Sequence, residues 1–144
     1  MEFGIGTVCD LTKEIQREKQ RLSNLRDAVQ RITRSYSDEP RSSVYKSQIE
    51  NLTALIVDTE NHLRDLLDNR LVAQINLLSV IRRAGLEPSE ERVLELRYCQ
   101  CLPYDSIAAT MTYSQAHILR LHKAAKEKLL TQFDAIVLEL ERKG

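Results

Sequence analysis

From Asp10 to Tyr36 apolar residues return every three or four positions, at Leu11, Ile15, Leu22, Leu25, Val29 and Ile32. Taking Ile15 as an a position, these are successive a and d sites of a heptad, with one polar residue, Glu18, standing at a d site. The spacing predicts a helix, and Asp10 is the residue expected to cap it. The stretch "SYSDEPRSS" breaks the pattern. Pro40 removes a backbone donor and disfavours helix at Glu39, so the chain is expected to reverse there.

A second periodic run passes through Val44, Ile49, Leu52, Ile56, Leu63, Leu66, Ala73 and Leu77. It ends where "IRRAGLEP" supplies basic residues, Gly85 and Pro88. At about 1.5 Å per residue the first helix is roughly 40 Å long and the second roughly 60 Å, so the second overhangs the first. The overhang carries Leu71, Ile75, Leu78 and Ile81 as well as the main seam. So much apolar surface calls for a partner, either the C-terminal segment or another copy of the chain.

Shorter units follow Pro88. "SEERVLELRY" has Ser89 as its expected N-cap, with Glu90, Glu91 and Glu95 placed to favour the helix dipole. "LPYDSIAATM" puts Pro103 at a helix start, where its missing N–H costs nothing. After it, Ser114 is placed to cap a last helix. Its stripe of Ile118, Leu121, Ala125, Leu129, Phe133, Ile136 and Leu140 extends to about Arg142.

The pattern therefore predicts an all-α protein. Residues 1–9 form a tail, and residues 10–84 a long antiparallel helical hairpin of coiled-coil type. Residues 85–144 form a domain of short helices with an extended last one. The hairpin seam is Ile15, Leu22, Leu25, Val29, Ile32, Ile49, Leu52, Ile56, Leu63 and Leu66. Heptads alone do not distinguish pairing within a chain from pairing between chains, and a homodimer or higher homo-oligomer is expected.

Composition changes little in this picture. The 144 residues include 4 Gly, 3 Pro, no Trp and 5% aromatics, a helical composition. Lys plus Arg and Asp plus Glu balance at 21 each, so electrostatic attraction to a polyanion has to be local. No stretch approaches the roughly 20 apolar residues of a membrane span, and "MEFGIGTVCD" lacks the features of a signal peptide, so no membrane partner is expected and a cytoplasmic location is. Three cysteines, Cys9, Cys99 and Cys101, suit a reducing compartment better than a disulfide scaffold.

Local charge does appear in "MTYSQAHILRLHKAAKEKLL", which gathers His117, Arg120, His122, Lys123, Lys126 and Lys128 around one acid, Glu127. Two short helices joined by a tight turn, the second basic and amphipathic, are the outline of a helix-turn-helix. Such a unit needs a small residue where the helices cross, supplied by Ala108. It also needs apolar residues to lock the second helix, here Ile107, Met111, Tyr113, Ile118 and Leu121. Gln115, Ala116, His117, Leu119, Arg120, His122, Lys123 and Lys126 then face outward. Gln115, His117 and Arg120 are positioned to read bases, and Ser114, Lys123 and Lys126 to hold phosphates of double-stranded DNA.

The segment Ser89–Leu130 resembles region 4 of bacterial sigma-70 factors, in which a helix ending in "LRY" precedes an "IA" helix and a recognition helix closing on "KL". Together with the preceding helical pair, the "DEPR" turn and the phrase "YSxxHxxRLHxxA", the whole chain resembles a family of small phage and prophage proteins related to late-gene transcription activators. The resemblance implies a DNA-binding transcription regulator inside a bacterial host, with RNA polymerase as a further partner. It also implies base-reading positions at Gln115, Ala116, His117, Leu119 and Arg120. Sigma factors commonly carry acidic and arginine side chains where this chain has Ala116, His117 and Leu119, so the usual promoter element is not implied. Thr112 stands where the turn often has Gly, and a β-branched residue is strained at positive φ, so a differently built turn is expected.

Nothing in the sequence points to catalysis. There is no nucleophile–base set, Gly-rich phosphate loop or HExxH spacing, and no cofactor or metal is expected. The pair in "CQC" is too closely spaced for a structural zinc site, and His117 and His122 fall on different helix faces. His62 reads as a surface residue. Two rival readings remain: an adaptor that docks on RNA polymerase or another phage protein without touching DNA, and a small terminase subunit.

Overall fold

The computed structural model describes residues 4–35 and 43–143. The protein is all-α: α1 (Thr7–Ser35), α2 (Ser43–Arg83), α3 (Pro88–Leu94), a π-helical turn (Glu95–Cys99), α4 (Tyr104–Met111) and α5 (Gln115–Lys143), with no strand among the described residues. It divides into two compact units, one of Leu11–Asn69 and one of Met1–Asp10 with Arg70–Gly144. The reversal expected at Asp38–Arg41 lies outside the described residues.

In the unit Leu11–Asn69 the heptad positions are the sheltered ones. Ile15, Leu22 and Leu66 are buried, and Leu25, Val29, Ile32, Ile49, Leu52, Ile56 and Leu63 are half-buried. Glu18, the polar residue in the seam, is buried as well. A buried carboxylate requires partners. Arg21 Nη1 donates to it at 2.8 Å and His62 Nδ1 at 2.9 Å, so His62 reaches from the surface to satisfy the seam. Arg26 of α1 also pairs with Glu60 of α2 at 3.2 Å.

In the second unit the chain is helical earlier than the hydrophobic period indicates. α1 starts at Thr7 rather than being capped by Asp10: the Gly4 amide donates to Thr7 Oγ1 at 3.0 Å, and Asp10 sits in the first turn. Val8 is buried. Cys9 is joined by a disulfide to Cys101, 92 residues away, with Cα atoms 5.6 Å apart. The expectation of unpaired cysteines is thus overturned, because folding brings the start of α1 against the loop before α4. Cys9 Sγ also lies 3.6 Å from the Arg97 carbonyl oxygen and 3.5 Å from that of Tyr98, contacts rather than hydrogen bonds since a disulfide sulfur carries no proton. Cys99 stays free.

At the far end of α2, Leu77, Val80, Ile81 and Ala84 are buried. Gln132 Nε2 of α5 donates to the Ala84 carbonyl at 3.1 Å, and Glu139 pairs with Arg83 at 3.4 Å. Gly85, at φ +68°, takes the left-handed conformation that ends α2. The N-cap of α3 is Glu87, not Ser89. Pro88 occupies the first helical position, and the Glu87 amide donates to Glu90 Oε1 at 3.2 Å in a capping box. Glu90 is only 3% exposed, and Lys128 Nζ donates to its Oε1 at 2.8 Å. The acid that composition assigns to a helix dipole is therefore a buried tie between α3 and α5.

Candidate nucleic-acid interface

The candidate surface is built on a small apolar cluster: Val93 of α3, Leu96 of the π-helical turn, Ile107 and Ala108 of α4, and Ile118 of α5. Leu102, Tyr104, Met111 and Leu121 pack around it. Ala108 offers only a methyl where α4 meets α5, which allows a β-branched Ile118 to be fully buried beside it. Of the six residues expected to form this core, Ile107, Ala108 and Ile118 are buried and Met111 and Leu121 half-buried. Tyr113 is the exception at 44% exposure: its ring turns outward, edge-on to His117 at a centroid distance of 4.7 Å.

The connection between α4 and α5 is three residues long. Thr112 does adopt the left-handed conformation, φ 57° and ψ 40°, contrary to the expectation that its β-branch would exclude it. The turn is held despite that strain because the Tyr113 amide donates to the Ala108 carbonyl at 3.0 Å, while Thr112 Oγ1 donates to the Met111 carbonyl at 2.6 Å. Ser114 then opens α5, its Oγ accepting from the His117 amide at 3.2 Å.

With Ile118, Ala125 and Leu129 turned inward, α5 exposes Gln115, Ala116, Leu119, Arg120 and Lys123. Arg120 and Lys123 are three residues apart, close neighbours on a helix surface. Lys126 is half-buried on the flank of this face. The other members of the basic run separate from it. His117 is half-buried against Tyr113. Lys128 is committed to Glu90. His122 turns toward the π-helical turn, where the Tyr98 hydroxyl lies 2.7 Å from its Nε2.

That turn is the part of the site with no counterpart in the hydrophobic period. A π-helical turn inserts one residue into the helical spacing, here at "ELRYC". It closes with the Gln100 amide on the Glu95 carbonyl at 3.1 Å and the Leu102 amide on the Leu96 carbonyl at 3.0 Å, and Cys101 follows at φ 58°. Within it Arg97 faces Tyr104 of α4 and Tyr98 faces His122 of α5. Arg97 Nη1 donates to the Leu102 carbonyl at 3.0 Å, and its guanidinium stacks 4.3 Å above the Tyr104 ring. Tyr98 stacks on His122 at 5.6 Å, and Tyr104 meets the same imidazole edge-on at 5.2 Å.

Burial, then the nearby positive Lys126 and Arg97, lower the His122 pKa, while burial and Tyr104 raise that of Tyr98. Both shifts keep the phenol protonated and the imidazole neutral, so the contact joins two uncharged groups. His122 is thereby an anchor for α5 instead of an outward-facing cation. The sequence signal for it was the "LRY" phrase, which names both Arg97 and Tyr98.

No protein-family model, curated protein or solved structure matches this chain. No group of three or more His, Cys, Asp or Glu among the described residues is arranged to hold a metal ion. No helix of the described residues is long and apolar enough to cross a membrane.

Proposed function

We propose that the chain is a sequence-specific DNA-binding regulator of phage or prophage transcription, working inside the bacterial host. Its α4 and α5 act as a helix-turn-helix of the sigma region 4 type. The observation that carries this reading is the burial of Ala108 of α4 and Ile118 of α5 in one cluster while Gln115, Arg120 and Lys123 of α5 stay exposed. An exposed helix with these donors fits a major groove, where arginine and glutamine pair with purine edges and lysine neutralises phosphates. Ser114 supports the start of α5 through its cap, and the amides of that first turn remain candidates for a phosphate. The antiparallel pairing of α1 with α2 belongs to the same proposal, and is supported by the Glu18–His62 and Arg26–Glu60 contacts.

Titration of the source phage or prophage DNA by gel shift tests the reading. A discrete complex should form on a specific fragment. With about four phosphate contacts, the logarithm of its association constant should fall against the logarithm of salt with a slope near roughly −3.6. A flat salt response, or equal affinity for every fragment, would remove the basis for sequence-specific binding.

A second reading is favoured by one observation. Leu119 is 45% exposed in the middle of the same face, with the acidic Glu127 two turns further along. An apolar centre with mixed charge also suits a protein surface, so an adaptor that docks on RNA polymerase through α5 is the alternative. Co-sedimentation with polymerase in the absence of DNA separates the two.

A further inference from the structure

α2 carries a second apolar stripe that its own chain leaves uncovered. Leu77, Val80 and Ile81 are buried, whereas Leu71 and Ile75 are 57% and 55% exposed, with Val72 exposed and Leu78 half-buried beside them. The C-terminal helices thus satisfy one side of this helix and leave the other bare. A contiguous exposed stripe of large aliphatic residues marks an interaction surface.

The charges that bracket the stripe indicate what covers it. Asp68 stands seven residues before Ile75 and Arg82 seven after, and all three are exposed. Seven residues are close to two helical turns, so the three share one face of a single uninterrupted helix. Among the described residues neither Asp68 nor Arg82 is engaged in an ion pair.

This pattern is complementary to itself when inverted. If a second α2 is laid antiparallel with Ile75 on Ile75, Asp68 meets the partner's Arg82 and Arg82 meets the partner's Asp68. Leu71 then falls near the partner's Leu78. A parallel, in-register pair would instead set Asp68 on Asp68 and Arg82 on Arg82, like charges that oppose association. We infer that this face of α2 binds a second copy of the same chain, antiparallel, with Ile75 on the twofold axis.

The arrangement is an isologous interface, in which one patch serves both subunits. It stands whether or not the chain binds DNA. Contact along about four turns lies at the low end of stable interfaces, roughly 1,200 Å², so association in the micromolar range is expected.

Sedimentation equilibrium of the full chain tests the inference. The wild type should show a reversible dimer of twice the 16.6 kDa chain mass, and Ile75→Asp should sediment as a monomer with unchanged helical circular dichroism. Should Ile75→Asp fail to fold, the exposed charges give an independent reading. Asp68→Arg and Arg82→Asp should each weaken the dimer about tenfold at low ionic strength, and the double variant should restore it. A wild type that stays monomeric to about 100 µM would assign the face to some other partner and overturn the inference. Single swaps that weaken the dimer without rescue by the double variant, or a dimer that survives Ile75→Asp, would overturn it equally.

Discussion

Tyr98 and His122, 24 residues apart in sequence, meet with the phenolic oxygen 2.7 Å from the imidazole Nε2, and this contact fixes α5 to the turn that precedes α4. The imidazole is held neutral by burial and by the positive Lys126 and Arg97, which lower its pKa from the ordinary 6.5. Protonation of the imidazole would place a cation beside two others.

Stability should therefore depend on pH below neutrality. Between the depressed folded value and 6.5 the unfolded chain binds more proton than the folded one. Stability is thus complete above about 6.5 and declines as the pH falls below it. Urea midpoints measured from pH 7.5 downward should show that decline, and His122→Phe should flatten it. Identical slopes for the two proteins would mean that another group is responsible.

The disulfide makes a prediction that can be counted. Denatured without reductant, the chain should expose one reactive thiol, Cys99, and after reduction three. In the native state Cys99 should react slowly even at pH 8, because burial, then Glu95, pushes its pKa up to about 11 and little thiolate is present. A bridge closing a loop of 92 residues constrains the unfolded chain strongly. Reduction should then lower the unfolding free energy by about 4–5 kcal/mol in the chain-entropy account. Three titratable thiols in the unreduced chain would show that Cys9 and Cys101 are not joined.

Much of this fold was legible as period. The heptad seam from Ile15 to Leu66 and the inward stripe of Ile118, Ala125 and Leu129 follow directly from residues that must leave water along one face of a helix. What the period missed were features set by contacts distant in sequence. Cys9 and Cys101 lie 92 residues apart, Glu90 and Lys128 are 38 apart, and a hydrophobic count is blind to both pairings. Local rules failed where one energetic term outweighed another. Thr112 offsets its left-handed backbone with two hydrogen bonds at the end of α4, and Tyr113 leaves the core, its ring meeting His117 edge-on instead. Of the basic run, Arg120 and Lys123 remain on the exposed face, whereas His122 and Lys128 serve the protein's interior contacts.

Glu90 should behave as a structural acid. Its carboxylate receives Lys128 and the Glu87 amide, and the Lys128 bond, against the opposing effect of burial, holds its pKa below the ordinary 4.5. Stability from this group is present above about 4.5 and lost as the pH falls through the lower folded value. Glu90→Ala should cost about 1–2 kcal/mol through loss of the cap alone. Thermal unfolding at neutral pH checks the figure, and Glu91→Ala on the same helix is the control, expected to change little. Equal effects of the two substitutions would return Glu90 to a mere helix-dipole role.

Arg120 and Lys123 should be separable in DNA binding although they are neighbours on one exposed face. Arginine presents a fork of donors that matches the two acceptors of a guanine edge, while lysine is a compact charge suited to a phosphate. Arg120→Ala should therefore cost about 1–3 kcal/mol on the best fragment and much less on others, narrowing the gap between them. Lys123→Ala should weaken all fragments alike and reduce the magnitude of the salt slope by about 1. Fluorescence anisotropy with a specific and a scrambled duplex at several salt concentrations measures both quantities together. If the two variants lost affinity in the same proportion on both duplexes, α5 would be contacting backbone only, and base reading would have to be sought elsewhere in the molecule.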